Sequence, residues 1–241
     1  MSGHSHFKTV KATKDANDAK KGKIFSKLGR VITIAAKEKG GDLTVNAKLK
    51  SAIEKAKEFN MPKENIERAI KKGTGELAGE NLEEISCEGL GLGGIALIIE
   101  GITDNKNRTL SEIKSILNQY GVKMAGEGAI RWMFQRKGVI SIEEHDGNKE
   151  NIELLAIESG AEDVKEQNNI FNIYTKPEDL EKVKKFLTEK NLKIGESLLA
   201  WIPNEEVPID EKNKEKIQEL FETLDENDAV QNIFSNIRPT D

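Results

Sequence analysis

The sequence is poor in the residues that build disulfides, metal clusters and membrane spans. Cys87 is its one cysteine, so no disulfide can form within the chain and no thiolate cluster can hold a metal. The longest apolar run, Ile95–Ile99, has the length of a strand and is too short to cross a bilayer. The first residues lack the apolar core of a secretory signal. These absences predict a cytoplasmic protein with no membrane partner.

Catalytic constellations are lacking as well. The three histidines are His4, His6 and His145, and none has a carboxylate or a cysteine at the spacing of a metal site. Acidic side chains are plentiful, but they stand among lysines, as they do on ordinary solvated helix faces. The sequence therefore predicts a protein that is not an enzyme and that has no cofactor, no metal and no small-molecule substrate.

One glycine-rich stretch keeps a nucleotide-using enzyme open as an alternative. Gly89, Gly91 and Gly94 match the G-x-G-x-x-G spacing of dinucleotide sites. Such a site needs a helix directly after the loop, so that the helix N-terminus meets the pyrophosphate. Here Ile95–Ile99 follows, which is a predicted strand. A hairpin turn is therefore the preferred interpretation of the loop.

Charges of opposite sign are segregated along the 241 residues, although the formal net charge is only -5. Residues 1–75 contain 18 Lys and Arg against 8 Asp and Glu, a net charge of +10. The remaining residues contain 19 against 34, a net charge of -15. A basic segment attracts phosphates while an acidic one repels them, so the split predicts a nucleic-acid partner at one end. Ordinary charge scatter between domains is the alternative.

The most cationic stretch is a predicted helix at residues 18–39. At 3.6 residues per turn its apolar side chains share one stripe, and its cations share the opposite side. No acid stands between Asp18 and Glu38, whereas an ordinary solvated helix face mixes both signs. We therefore expect the cationic side to face solvent and to bind phosphates. The residues expected to do so are Lys20, Lys23, Lys27 and Arg30.

Other cations of the first 75 residues complete the expected phosphate-binding surface. They are Lys8, Lys11, Lys14, Lys21, Lys63, Arg68, Lys71 and Lys72. Of the 18 cations in this segment 16 are lysine, which meets phosphate as a point charge, whereas base edges are read by the arginine fork. The composition therefore favours recognition of backbone and shape. Phe7 is either a base-stacking ring or a cap on the helices.

The hydrophobic pattern predicts an α+β protein of three domains. Residues 1–75 read as a basic three-helix bundle that ends in a glycine-rich linker. Residues 138–204 follow the β-α-β-β-α-β order of a ferredoxin-like fold. Residues 82–137 contain one helix and one strand fewer than a complete ferredoxin-like domain needs. Residues 205–241 supply the missing helix and strand. We therefore expect two ferredoxin-like α+β domains, the third domain being inserted into a discontinuous second one.

Two smaller expectations concern the discontinuous domain. Ile130, Trp132 and Phe134 alternate along residues 129–135, which predicts a strand there. Cys87 lies in another predicted strand and is expected to be a small buried hydrophobic residue.

Several stretches of the sequence resemble one known family. They are Gly3–Ser5, Asp18–Leu28, Ala35–Lys37, Gly40–Asp42, Asn60–Gly73, Thr103–Asn105 and Asn107–Thr109. Together they are similar to the YebC/PmpR family, whose mitochondrial relative is the translational activator of cytochrome oxidase subunit one. The resemblance covers essentially the whole chain, and the stretches Lys20–Lys27 and Met61–Gly73 are its most specific parts.

The resemblance implies a three-domain regulator of gene expression with no enzyme activity and no cofactor. Its partner would be nucleic acid, either ribosomal RNA on the ribosome, as a translation factor, or DNA, as a transcriptional regulator. The lysine-rich surface favours RNA, whereas the usual label of the family favours DNA. Two departures from the family pattern stand out. Phe7 replaces a tryptophan, and the loop Cys87–Gly94 lacks two tyrosines and a proline.

Overall fold

The computed structural model describes residues 7–9, 18–144, 149–167 and 169–238. Over these residues the chain forms seven α-helices and nine β-strands. It divides into two compact units. The larger comprises Lys8–Ala129 with Ile209–Ile233, and the smaller comprises Ile130–Pro208 with the residues from Phe234 onward. The mixed architecture confirms the predicted α+β class.

Helices dominate the first part of the chain, and two sheets follow. The elements in chain order are β1 (Phe7–Thr9), α1 (Asp18–Lys39), α2 (Ala47–Glu58), α3 (Lys63–Thr74), β2 (Glu83–Leu90), β3 (Ala96–Thr103), α4 (Lys106–Gln119), β4 (Lys123–Ala125), β5 (Phe134–Glu144), α5 (Lys149–Ser159), β6 (Asp163–Gln167), β7 (Ile170–Thr175), α6 (Leu180–Glu189), β8 (Lys193–Pro203), α7 (Glu211–Glu226) and β9 (Val230–Ser235). One sheet has the order β1-β9-β3-β2-β4, and the other has the order β6-β7-β5-β8.

The three predicted helices form, and they share one core. Its buried members are Leu28, Ile32, Ala35, Ala36, Leu49, Ala52, Ile53, Ala56, Met61, Ile66 and Ala69. The junction between α1 and α2 is fixed by Asn46, which is fully buried. The Asn46 side chain accepts a hydrogen bond from the Leu49 amide and donates to the carbonyls of Ala35 and Gly40. This cap therefore joins the end of α1 to the start of α2.

Helix α1 also has a second buried side, which the periodicity did not predict. Ile34 lies outside the predicted apolar stripe, yet it is buried against Leu82 and Ile102. Because Leu82 precedes β2 and Ile102 belongs to β3, α1 lies between the other two helices and the sheet portion of the larger unit. Only part of the circumference of this helix is thus left for solvent.

Helices α1 and α3 approach each other closely through small residues. The Thr33 hydroxyl donates to the carbonyls of Gly29 and Ala69, at 2.9 and 3.1 Å. A Cβ atom on Gly73 would lie 2.4 Å from the Thr33 carbonyl oxygen and 2.7 Å from the Ala36 Cβ. The absence of a side chain at Gly73 therefore permits this helix contact.

The glycine-rich loop is a hairpin turn, as the sequence predicts. Strands β2 and β3 pair antiparallel up to Leu90 opposite Ala96. Gly93 and Gly94 adopt φ values of 71° and 81°, which favour glycine. Because a strand and not a helix follows the loop, the dinucleotide-site alternative lacks the helix N-terminus that it needs.

The predicted strand at residues 129–135 is largely wrong. Arg131–Met133 form a 3-10 turn, and β5 begins only at Phe134. The Ala129 and Met133 amides donate to the nearby carbonyls of Gly126 and Ile130, so local turns replace a strand ladder. The strands β1 and β4 were not predicted, since three residues carry too little pattern to reveal a strand.

The smaller unit confirms the ferredoxin-like prediction for the inserted segment. Its elements follow the order β5-α5-β6-β7-α6-β8. Strand β5 pairs antiparallel with both β7 and β8, and β6 pairs antiparallel with β7. Helices α5 and α6 pack on one face of this sheet, over a core that includes Ile140, Ile142 and Phe171. The unit therefore has its own core.

Candidate nucleic-acid interface

Lys27, at the middle of the predicted cationic row, is buried. Its side chain retains only 5% of its accessible surface. The Nζ atom donates to the Asp225 carbonyl oxygen at 2.6 Å and lies 3.1 Å from Asp225 Oδ1. Burial lowers the pKa of Lys27, against the opposing attraction of Asp225. The expectation that Lys27 faces solvent is therefore wrong, because α7 covers it.

Two further cations of α1 bind main-chain carbonyls of the sheet portion. Arg30 Nη1 donates to the Ile102 carbonyl at 2.8 Å. Lys37 Nζ donates to Asn81 Oδ1 at 2.7 Å and to the Leu82 carbonyl at 3.0 Å. The polar side of α1 thus holds the helix onto the sheet of the same unit. The predicted uninterrupted cationic row toward solvent is not present.

The remaining α1 cations and the basic tail are only partly described. Lys21 and Lys23 are exposed on the first turns of α1. The backbone of Lys20 belongs to α1 and that of Lys8 to β1, but their side chains lie outside the described part of the chain. Lys11 and Lys14 lie outside it entirely, as does the ring of Phe7. The expected roles of these residues stay predictions.

Helix α3 presents the clearest group of exposed predicted cations. Arg68, Lys71 and Lys72 are all exposed, and their spacing places them on adjacent turns of one face. We call these three residues the α3 cationic cluster. Lys63 is also exposed, with 89% of its side chain accessible, and its Nζ lies 3.5 Å from Glu67 Oε1. The predicted cations of α3 therefore remain available to a ligand.

The sequence of α3 explains why this face is turned outward. Pro62 precedes the helix, and Ile66 and Ala69 point into the core. The helix ends at Gly75, which has φ 80°. Cations in a last helical turn also complement the helix dipole, which is a structural role that needs no ligand. Measuring nucleic-acid binding by a variant that lacks these cations distinguishes ligand binding from the purely structural role.

Within the described residues, no group of three histidine, cysteine or acidic side chains can hold a metal ion. No helix in the same part of the chain is both long and apolar enough to cross a membrane. Glu88, although 1% exposed, is committed to a structural contact, since its Oε1 accepts a hydrogen bond from the Gly128 amide at 2.7 Å. Among the described residues, the α3 cationic cluster is the best-defined candidate site.

Cys87 is buried in β2, which confirms its predicted role as a small hydrophobic residue. Burial, together with the neighbouring charge of Glu88, raises the pKa of its thiol to about 12. We expect iodoacetamide at pH 8 to modify native Cys87 far more slowly than Cys87 in the unfolded chain, because the thiolate is the reacting species. Mass spectrometry of timed samples measures both rates. Equal rates in native and unfolded protein would contradict the burial of this thiol.

Comparisons with known proteins cover nearly the whole chain. Residues 5–76 match the sequence profile of the TACO1/YebC protein N-terminal domain, and residues 82–237 match that of the TACO1/YebC second and third domain. A probable transcriptional regulatory protein of Thermoanaerobacter pseudethanolicus is 43% identical, over 100% of this chain and 98% of the relative. One of Caldanaerobacter subterraneus is 44% identical, over 100% of both. The conserved hypothetical protein Aq1575 from Aquifex aeolicus is 41% identical in sequence to this chain. Its crystal structure aligns over 97% of each chain with a TM-score of 0.88.

Proposed function

Because this chain belongs to the TACO1/YebC family, we propose that it is a non-enzymatic regulator of gene expression that binds nucleic acid through its N-terminal helices. The α3 cationic cluster is the observation that carries this proposal. Lys21, Lys23 and Lys63 extend the exposed positive charge, whereas Lys27 and Arg30 act within the protein.

The charge distribution supports a partner that is bound at one end only. The first 75 residues have a net charge of +10, and the rest of the chain has one of -15. A nucleic-acid backbone is attracted by the former and repelled by the latter, so the acidic part would be held away from it. The segregation would thereby orient the protein on its partner.

We favour ribosomal RNA, and thus a role in translation, over DNA. Lysine dominates the basic segment, and lysine meets phosphates without reading base edges in the way that arginine does. This suits recognition of RNA by its backbone and shape. The alternative is a DNA-binding transcriptional regulator, which is favoured by the names of the relatives.

The binding experiment compares two triple variants that remove the same charge. The first is Arg68→Ala, Lys71→Ala, Lys72→Ala. The control replaces Lys176, Lys182 and Lys185, which are exposed on the smaller unit, by alanine. We expect the first variant to bind a ribosomal RNA fragment at least about tenfold more weakly. Its log K against log salt should flatten by roughly 0.7 to 0.9 for each phosphate that the variant no longer neutralises.

The control variant should bind as the native protein does. An unchanged affinity and salt slope in the α3 variant would show that the α3 cationic cluster only forms a solvent-exposed helix surface and complements the helix dipole. Crosslinking in cells with ultraviolet light then separates the two targets. Crosslinks in ribosomal RNA that disappear in the α3 variant support translation, whereas crosslinks at discrete promoters support transcription.

We also propose that the division predicted from the sequence describes three functional domains. The basic domain would comprise residues 1–75, the discontinuous one residues 82–137 with 205–241, and the inserted one residues 138–204. The matched family profiles, which name an N-terminal, a second and a third domain, support this number.

A further inference from the structure

Helix α5 carries apolar side chains on both of its sides. Ile152 and Ala156 are buried in the core of the smaller unit, as expected for a helix that packs on a sheet. On the opposite side of the helix, Leu154 is 60% exposed and Ile157 is 70% exposed. Apolar residues on both sides are typical of a helix that is covered on both sides. Over the described residues, however, only one side of α5 is buried.

Leu154 and Ile157 lie side by side at the centre of the exposed side of α5. Residues three positions apart are neighbours on a helix surface, because the helix completes a turn in about 3.6 residues. A single exposed leucine is common on protein surfaces, whereas adjacent exposed apolar residues form a contact surface. We call these two residues the α5 apolar pair. The core beneath α5 holds the pair in place, so it is presented without a loss of backbone order.

Glutamates surround the α5 apolar pair. At helical spacing Glu153 and Glu158 lie on either side of the pair, and Glu150 lies one turn nearer the N-terminus. All three glutamates are exposed. The single cation of α5 is Lys149, which forms an ion pair with Glu166 of β6. The exposed side of α5 is therefore an apolar centre within an acidic surround.

The acidic surround selects among the partners that could cover the α5 apolar pair. It repels a nucleic acid, and it repels an anionic membrane surface for the same reason. A second copy that docked through the same face would place glutamates against glutamates. A protein segment whose apolar side chains are flanked by lysine or arginine is instead attracted by these charges.

We propose that the exposed side of α5 binds a cationic amphipathic helix of another protein. Apolar side chains of that helix cover the α5 apolar pair, because the surface ridges of one helix fit the grooves of another. Lysines or arginines of the partner then lie over Glu153 and Glu158, where opposite charges set its orientation and accelerate its association. This surface belongs to the smaller unit and contains no residue of the α3 cationic cluster. It is thus independent of the nucleic-acid interface proposed above.

Binding of a synthetic peptide to the full chain tests the proposal. The peptide contains only leucine and lysine in an amphipathic helical pattern and is about 18 residues long, since shorter helices are marginal in water. A second peptide, in which glutamate replaces every lysine, is the charge control. We expect fluorescence anisotropy to give a dissociation constant on the order of 10 μM for the first peptide and no binding of the second.

Two double variants locate this binding on α5. Leu154→Ser with Ile157→Ser removes the α5 apolar pair and should weaken binding of the leucine and lysine peptide at least about tenfold. Glu153→Gln with Glu158→Gln should weaken it about threefold and remove most of its salt dependence. All four side chains are exposed, so the fold should be retained, which circular dichroism checks.

Matched controls make the same changes at exposed positions of the larger unit. They are Leu43→Ser with Val45→Ser, and Glu215→Gln with Glu219→Gln. Both controls should bind the peptide as the native protein does.

Several results would overturn the proposal. A native protein that binds neither peptide, or that binds both equally, would contradict the role of charge. Binding that survives the loss of the α5 apolar pair would place the contact elsewhere. A mass that rises above 26.8 kDa with concentration in the native protein but not in this variant would assign the face to a second copy. Loss of ribosomal RNA binding in the same variant would assign it to nucleic acid.

Discussion

The Gly73→Ala variant is expected to lose about 2 kcal/mol of unfolding free energy, although alanine is normally the better residue in a helix. The added Cβ would lie 2.4 Å from the Thr33 carbonyl oxygen and 2.7 Å from the Ala36 Cβ. Both obstacles belong to the body of α1, so neither can rotate away as the end of a flexible side chain could. The two helices would have to separate, which also weakens the Thr33 hydrogen bond to Ala69.

Gly22→Ala is the matched control, since it makes the same change within a helix. Apart from its chain neighbours and the backbone of its own helix, no atom of the described residues lies within 4 Å of a Cβ placed at Gly22. This variant should therefore gain about 0.5 to 1 kcal/mol from helix propensity alone. Urea unfolding followed by circular dichroism measures both. Equal stabilisation in the two variants would mean that α1 and α3 do not approach as closely as described.

The second large effect is expected for Asp225→Ala, with a loss of about 2 to 3 kcal/mol at pH 7. The variant leaves the Lys27 ammonium buried, with the carbonyl of residue 225 as its remaining partner there. The loss stays below that of a fully buried pair because 31% of the Asp225 side chain is accessible to water. Most of the cost is the desolvation of a charge that has lost its counter-ion.

Lys27→Met distinguishes this mechanism from a simple loss of packing. Methionine keeps an apolar stem of similar length and removes the charge, so the single variant should lie within about 1 kcal/mol of the native protein. The double variant Lys27→Met, Asp225→Ala should be more stable than Asp225→Ala alone, because no unpaired ammonium remains buried. If the two losses simply add, the ion pair contributes nothing beyond its separate parts.

The pH dependence of the unfolding free energy gives a further test of the contact between Lys27 and Asp225. Because burial lowers the pKa of Lys27 in the folded state, the folded chain releases this proton before the unfolded chain does. Stability from this residue therefore increases as pH rises from the folded pKa toward the ordinary value of 10.5. Removing Asp225, whose charge raises this pKa, lowers the folded pKa of Lys27 further. The difference between native and variant protein should therefore shrink as pH rises from the folded pKa of the variant to that of the native protein, and should change no further above it. A difference that grew there would contradict the assignment.

Much of the fold follows from the sequence because strong periodicity has a single interpretation. The three helices, the hairpin and the β-α-β-β-α-β order were all predicted from alternation, proline and glycine positions. The predicted strand at residues 129–135 was wrong because Ile130 is buried whereas Trp132 is 74% exposed, so the two side chains do not share the face that their alternation implied. There, local hydrogen bonds to Gly126 and Ile130 outweigh the pattern.

The candidate site was harder to predict for a different reason. Periodicity assigns Lys27 and Arg30 to the polar side of α1, but it does not reveal whether another layer covers that side. The covering groups are the Asp225 side chain and the Ile102 carbonyl, which are 198 and 72 residues away. Ile34 was the available signal, because an apolar residue within a polar side indicates a second contact surface.

The double burial of α1 also determines how the protein can be divided experimentally. A gene fragment that ends after α3 would retain the core shared by the three helices but would uncover Ile34. It would also release Lys27 and Arg30 from the acceptors that hold them in the whole chain. Such a fragment would display cations that the intact protein keeps inside. Its affinity for any polyanion would therefore overstate that of the protein from which it was cut.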